Sequence, residues 1–470
     1  MMKLPVQFAP TAVLMPMTAL VLVGFGAVNA SWAESLDEAL AAAYMDNPTL
    51  LAARAELRGV NERVPQELSN YRPSAFVDGQ AGVERIDNDF GSGGTQSSGG
   101  AETNEPREIL LDVEQPLYRG GRTVNAVARA EAEVQAQRAR LRSVEQDILL
   151  SAVAAYMDVW RDEAVLLLNI NNEKVLARQL EATQDRFDVG ELTRTDVAQS
   201  ESRLSRATAE RVGAEGNLTA SEATYQEVIG RPPELASLEP PDTLAGLPSA
   251  QGEVVRAAVD NNPDVISARF DENAAERQIK VAQGQLLPEA FLTGEARHTE
   301  NFGSSDNETD VARGLFEVTV PVYQQGLVSS QVRESKQISA QRKRELDEAV
   351  RSAERFAINA WAGLETARAQ SESFRAGVRS TGIALEGVRQ ENAVGARTIL
   401  DILDAEQEFL DAQVSLVRAR RNETVASYGV LAAMGRLTAR ELALAVEAYN
   451  PDEDYQAVRN LWFGLDAPGQ

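Results

Sequence analysis

The chain has 470 residues, a formal net charge of −25, 6% aromatic residues, no cysteine and a single histidine, His298. The acidic balance argues against a nucleic-acid partner, because phosphate contacts need clustered Lys and Arg. The missing cysteines exclude disulfides, thiolate chemistry and a lipidated-cysteine anchor, and one histidine argues against histidine-based catalysis and most transition-metal sites.

In chain order, residues 1–33 read as an export signal: Lys3 is the positive start, residues 11–28 are uncharged and largely apolar, and Ser31-Trp-Ala33 offers a cleavage point after Ala33. The rival is a membrane-anchoring helix, which Pro16, Gly24 and Gly26 would interrupt. A first structural repeat is expected over residues 34–238. It opens with a helical stretch, 35–70, where Ser35 and Glu38 can form a capping box. Strands are expected at 74–85, where Ala75, Val77, Gly79, Ala81 and Val83 fall on one face and Asp78, Gln80 and Glu84 on the other, and at 107–118. The Gly- and Ser-rich run between them reads as a polar loop. A proline-free helical hairpin follows over 122–230 and turns at Gly190, with Val127, Ala130, Val134, Gln137, Leu141, Val144 and Ile148 stepping like a coiled-coil seam.

After a linker at 239–250, residues 251–446 are expected to repeat the plan, with strands at 288–299 and 313–323 and a hairpin over 327–434 that turns at Gly395. In its return helix Leu403, Leu410, Val417, Thr424 and Leu431 recur every seventh residue, and the tail, 447–470, reads as loosely ordered. The duplication is explicit in the residues. Asp46-Asn-Pro48 returns as Asn261-Asn-Pro263 and Pro73-Ser-Ala-Phe76 as Pro288-Glu-Ala-Phe291; further on, Pro116-Leu-Tyr118 meets Pro321-Val-Tyr323 and Gly230-Arg231 meets Gly435-Arg436. Strands of about ten residues fit an outer membrane, but four cannot close a membrane barrel, so membrane strands would require several chains. The alternation alone equally suits a soluble hairpin, which leaves a soluble periplasmic coiled-coil scaffold as the alternative.

The duplicated order of helix, strand, loop, strand and paired long helices resembles the TolC family of outer-membrane channel proteins. So do two tip motifs, Val189-Gly190-Glu-Leu-Thr-Arg-Thr195-Asp196-Val197 and Val394-Gly395-Ala-Arg397-Thr398-Ile-Leu-Asp401-Ile-Leu-Asp404-Ala405. The resemblance spans Glu34 to about Val446, and the missing cysteine is similar to the non-lipidated branch. It implies a mixed α/β membrane protein: a homotrimeric channel with a shared twelve-stranded outer-membrane β-barrel and a long periplasmic α-helical coiled-coil barrel. It further implies a periplasmic adaptor and an inner-membrane transporter as partners, outer-membrane lipid around the strands, and a passive exit duct for efflux or type I secretion. No cofactor, fixed metal site or enzymatic activity is implied, and no constellation of acid, base and nucleophile is evident.

Read from the residues alone, Asp401 and Asp404 are ordinary acids near a helix start. The resemblance makes them carboxylates lining the periplasmic aperture, and makes Arg397 a tip-closing contact to the other hairpin, where Thr195 and Asp196 occupy the equivalent turn. Asn392 stands where the best-known member carries a tyrosine that pairs with the acid equivalent to Asp196. Val189, Gly190, Val394 and Gly395 become adaptor-facing tip turns, and Gly190 and Gly395 are in any case turn glycines. His298 reads as a surface residue at a strand end, and Tyr118 and Tyr323 suit an interfacial aromatic girdle.

Overall fold

The computed structural model describes residues 35–87, 101–235, 238, 244, 246–304 and 306–466. The expected export signal and most of the Gly-Ser loop lie outside the described residues. Among the described residues, no helix is long and apolar enough to cross a membrane.

The N-terminal helical stretch is three helices: α1 (Leu36–Asp46), α2 (Pro48–Asn61) and α3 (Arg63–Leu68). Ser35 and Glu38 form a capping box on α1. The first break is chemical. Asn47 leaves helical geometry, its Oδ1 accepts the N–H groups of Thr49 and Leu50, and Pro48 starts α2 where no N–H is needed. In the second half Asn262 caps α7 (Pro263–Gly284) in the same way after α6 (Gln251–Asn261). The repeated Asn-Pro pair is therefore a helix-to-helix joint, and Asn47 Nδ2 also donates to Val228 O at 2.9 Å, docking the joint on the returning hairpin.

Two corrections concern strands. The stretch expected at 74–85 is β1 (Ser74–Ala81), and after Gly82 and Val83 the chain enters a separate two-stranded ribbon, β2 (Glu84–Asp87) with β3 (Ala101–Asn104). β4 (Arg107–Arg119) carries a register irregularity between Pro116 and Tyr118, where proline has no N–H for the ladder. β5 (Glu289–Glu300) follows α7. The last strand, β6, runs Glu308–Thr319 rather than 313–323: it pairs from the turn onward and stops before Pro321, so Tyr323 lies outside the sheet.

The four strands lie in the order β1-β4-β5-β6, all antiparallel, and among the described residues both outer edges are unpaired. The central pair, β4 with β5, joins the two repeats. Register fixes the faces. Val77, Leu111, Ala296 and Ala312 share one side, as do Val113, Gly294, Leu292 and Phe316, making a broad apolar surface; Asp78, Asp112, Glu295, Arg297 and Arg313 occupy the other. On the apolar side Val77, Ile109, Leu292 and Phe316 are all at least half exposed.

Each repeat continues into a helical hairpin: α4 (Arg122–Asp188) with α5 (Arg194–Ile229), and α8 (Leu327–Ala393) with α9 (Ile399–Ala433). At about 1.5 Å per residue, the long helices are rods on the order of 100 Å. Ala130, Val134, Gln137 and Leu141 of the expected seam are buried, as are Leu403, Leu410 and Leu431 of the return helix. Gly120, with φ 60°, turns the strand into α4; a Cβ there would stand 2.1 Å from Gly284 O, so only glycine fits.

The main core lies where the hairpin bases meet α1 and α2, and includes Leu40, Leu57, Leu149, Tyr156, Tyr225 and Leu437. Asp158 on α4 accepts both Nε and Nη2 of Arg421 on α9, at 2.9 and 3.1 Å, tying one repeat to the other. The tail is more ordered than its composition suggests: α10 (Pro451–Arg459) docks through Arg138–Asp452 at 2.7 Å and Arg459–Glu131 at 3.1 Å.

The face assignment predicts an asymmetry between neighbours. In a bilayer, Leu111→Arg on the apolar face should cost about 2–4 kcal/mol, whereas Leu110→Arg on the opposite face should be nearly neutral. Denaturant titration of the lipid-reconstituted protein measures both; equal effects would refute the assignment.

Candidate functional site: the hairpin tips

Both hairpins end in the same chemistry. At the first tip Gly190 (φ 85°) donates to Phe187 O at 2.9 Å and Glu191 N to Arg186 O at 2.8 Å. At the second, Gly395 (φ 79°) donates to Asn392 O at 2.9 Å and Ala396 N to Glu391 O at 2.9 Å. These paired bonds satisfy the last carbonyls of α4 and α8 in a Schellman motif, which needs a left-handed residue at that position. The valine before each glycine is the C-cap, and Val189 and Val394 are 73% and 81% exposed, an apolar pair presented to the outside at the end of the molecule.

The returning helices start alike. The Thr193 hydroxyl accepts from Asp196 N while the Asp196 carboxylate accepts from Thr193 N and Oγ1; Thr398 and Asp401 repeat this exchange. The Thr193 and Thr398 hydroxyls, with their backbone N–H groups second, hold the Asp196 and Asp401 carboxyls below the ordinary aspartate range. Asp401 is thus one half of a capping box. Thr195 lies exposed on the first turn of α5.

Arg397 bonds within its own hairpin. Its Nε donates to Glu391 Oε2 at 2.8 Å and its Nη1 stands 3.9 Å from Asp401 Oδ1, while Asn392 Nδ2 donates to Arg397 O at 2.8 Å. Within one chain the structure does not bring Arg397 or Asn392 to Thr195 or Asp196.

The contact between the two hairpins is made elsewhere. Arg203 on α5 donates through Nη2 to Asp404 Oδ1 on α9. Beside this ion pair, Ile399 and Leu403 of α9 are buried with Leu176 of α4 and Ala207 of α5, and Leu192 and Leu204 pack against them. Asp401 and Asp404 therefore engage different partners, one its own helix start and the other the neighbouring hairpin. Sequence reasoning missed Arg203, yet a signal existed. Arg206 and Arg211 have acids four residues on, Glu210 and Glu215, whereas Arg203 has Gln199, Ser200, Arg206 and Ala207 at those spacings. An arginine without an intrahelical partner points to a partner on another helix. One turn beyond Leu403, Glu406 is buried and receives Arg389 Nη2 at 3.1 Å, within the second hairpin.

Comparison with known proteins agrees with this architecture. The family model described as "Outer membrane efflux protein" matches residues 39–231 and 254–436, one block per repeat. The chain is 36% identical over 444 residues to the outer membrane efflux protein BepC of Brucella suis biovar 1, covering 94% of each chain. It is 24% identical to the outer membrane protein TolC of Escherichia coli K12, covering 90% of this chain and 86% of that one. Among solved structures, the outer membrane protein VceC of Vibrio cholerae superposes with a TM-score of 0.72 at 19% identity, covering 85% of this chain and 96% of that chain. A soluble scaffold is not what these relatives are, and the family is one of efflux channels rather than of enzymes. The chain belongs to the outer membrane efflux protein family, and it is an exit duct of the Gram-negative outer membrane that extends into the periplasm.

Proposed function

We propose that three copies of this chain close one twelve-stranded barrel and continue as a helical tube whose tips form a gate. The observation that carries this reading is the four-stranded sheet with one apolar face and two unpaired edges. Unpaired backbone groups find no partner in hydrocarbon, and a membrane barrel needs at least about eight strands. Phe356, Phe374 and Ile383 on α8 stay exposed in the single chain, which supports side-by-side packing of hairpins around a ring. The duct conducts passively. An inner-membrane transporter supplies the energy, and a periplasmic adaptor meets the tips at Val189, Gly190, Val394 and Gly395.

In this reading Asp401 and Asp404 border the aperture, and the closed gate is held by contacts of α9 with the first hairpin. The cross-hairpin pair Arg203–Asp404 and the apolar contact beside it hold each protomer's two tips together, while Arg397, with Asn392 on its carbonyl, shapes the second turn. An exposed ion pair is worth roughly 0–1 kcal/mol, so it acts here through repetition around the ring.

Planar-bilayer conductance of the purified protein tests the gate. Wild type should show small, cation-selective openings. Arg203→Ala and Asp404→Asn should each enlarge them, the swap Arg203→Asp with Asp404→Arg should restore the small state, and Arg397→Ala should enlarge them by less. A wild type that never conducts would sink the duct reading; unchanged conductance in Arg203→Ala would sink the latch alone.

The caps give a local stability prediction. Thr193→Ala and Thr398→Ala should each cost about 1 kcal/mol of tip-helix stability, read by hydrogen exchange in the first turns of α5 and α9. The pH dependence has a defined sign. The Asp196 and Asp401 carboxyls titrate lower in the folded tip than in the unfolded chain, so their contribution is complete above an ordinary aspartate value of about 3.9 and is lost as pH falls through the depressed folded value. Tip protection, corrected for intrinsic exchange, should therefore hold from pH 7 to 5. A loss within that window would refute the capping account.

A further inference from the structure

The single histidine of the chain lies in a cluster that the duct reading does not use. His298 sits opposite Asp310 in the β5–β6 register, and the next pair on the same face is Glu300 opposite Glu308. His298 Nδ1 is 2.7 Å from Asp310 Oδ1, and Nε2 is 3.4 Å from Glu300 Oε1. One ligand atom from each of His298, Glu308 and Asp310 lies within 4.8 Å of the others.

Position gives the cluster its meaning. It occupies the side that carries Ala296, Ala312 and Phe316, two residues beyond the apolar band, at the end of the sheet remote from α4 and α8. That end is the outer rim of the barrel wall, on the side that faces lipid.

A second observation points to a cation. Glu300 and Glu308 stand directly opposite one another on adjacent strands, an arrangement that like charges destabilise. The neighbouring cation on that face, Arg107, approaches Glu300 only to 3.8 Å and is shared with Glu105 at the same distance. With Asp310 included, three carboxylates face one arginine and one imidazole, so the cluster is net negative.

We propose that His298, Asp310 and Glu308, with Glu300 as a fourth donor or as the acceptor that orients the ring, form a binding site for a borderline divalent transition-metal ion, Zn²⁺ in the first instance. Zinc accepts imidazole and carboxylate together in tetrahedral sets, with bonds of about 2.0–2.2 Å, which place ligand atoms roughly 3.5 Å apart. Asp310 is 80% exposed, so its carboxylate is free to swing from its present 2.7 Å contact into that spacing. Imidazole in the set favours zinc, nickel or cobalt over calcium or magnesium, which prefer oxygen alone. The bound ion would clamp the β5–β6 hairpin where it leaves the membrane. One hairpin supplies every donor, so the site does not depend on how many chains close the barrel.

The test uses full-length, untagged protein in detergent, stripped with EDTA and titrated with ZnCl₂ by calorimetry. Modification of His298 by diethyl pyrocarbonate is followed in parallel, and with one histidine per chain the signal needs no deconvolution. Expected are one saturable Zn²⁺ per chain and protection of His298 by Zn²⁺. His298→Ala, or Glu308→Gln with Asp310→Asn, should weaken binding roughly 10- to 100-fold or more. Asp78→Asn, a carboxylate on the opposite face, should leave it unchanged. Absence of saturable binding, binding unaltered by His298→Ala, or a histidine modified equally with and without Zn²⁺ would each overturn the site. Should a variant fail to assemble, the protection experiment on the unaltered chain decides.

Discussion

Everything above the periplasm is governed by one constraint: a peptide group in hydrocarbon must find its hydrogen-bond partner in protein. β1 and β6 each present an unpaired edge, and one face of the sheet is apolar from Val77 to Phe316. A soluble sheet would cover that face with helices and blunt its edges. Here the helices leave from one end of the sheet instead, and among the described residues neither face is covered. The same constraint explains why the repeats join through β4 and β5: that pairing turns two hairpins into one continuous wall segment.

Below the sheet the problem changes from hydrogen bonding to length. Rods on the order of 100 Å have little core per residue. The buried mass is concentrated at the hairpin bases, where α1, α2 and the bidentate Asp158–Arg421 pair hold the repeats together. Toward the tips the apolar contact shrinks to Leu176, Ala207, Ile399 and Leu403, and an exposed ion pair becomes a meaningful fraction of what keeps the hairpins aligned. The hairpin pair is thus firm at the base and weakly held at the tip.

Each tip closes its own backbone. Each α-helix end is closed locally by a Schellman turn and each following helix by a Thr–Asp capping box, so neither hairpin needs the other to satisfy its backbone. Local closure and cross-hairpin contact use different residues. Asp401 serves the first and Asp404 the second, although three positions separate them on one helix.

The sequence by itself determined the duplication, the element types and the tip turns, because these rest on local chemistry. Asn before Pro starts a helix, Val-Gly ends one, Thr-x-x-Asp caps one, and alternation makes a strand wherever it occurs. It located the ends of β1 and β6 less well, since a strand stops where its neighbour stops pairing, and that is a property of two segments at once. It also left the tip contacts open. Arg397 and Asp196 carry motif signatures, but Arg397 turned to Glu391 and Asp196 to Thr193, while the bond between hairpins fell to Arg203, a residue in no motif. Only the tertiary structure decided these matters. Which carboxylate meets which guanidinium, and which strand stands opposite His298, depends on the register between elements 201 and 12 residues apart, where local propensity carries no information.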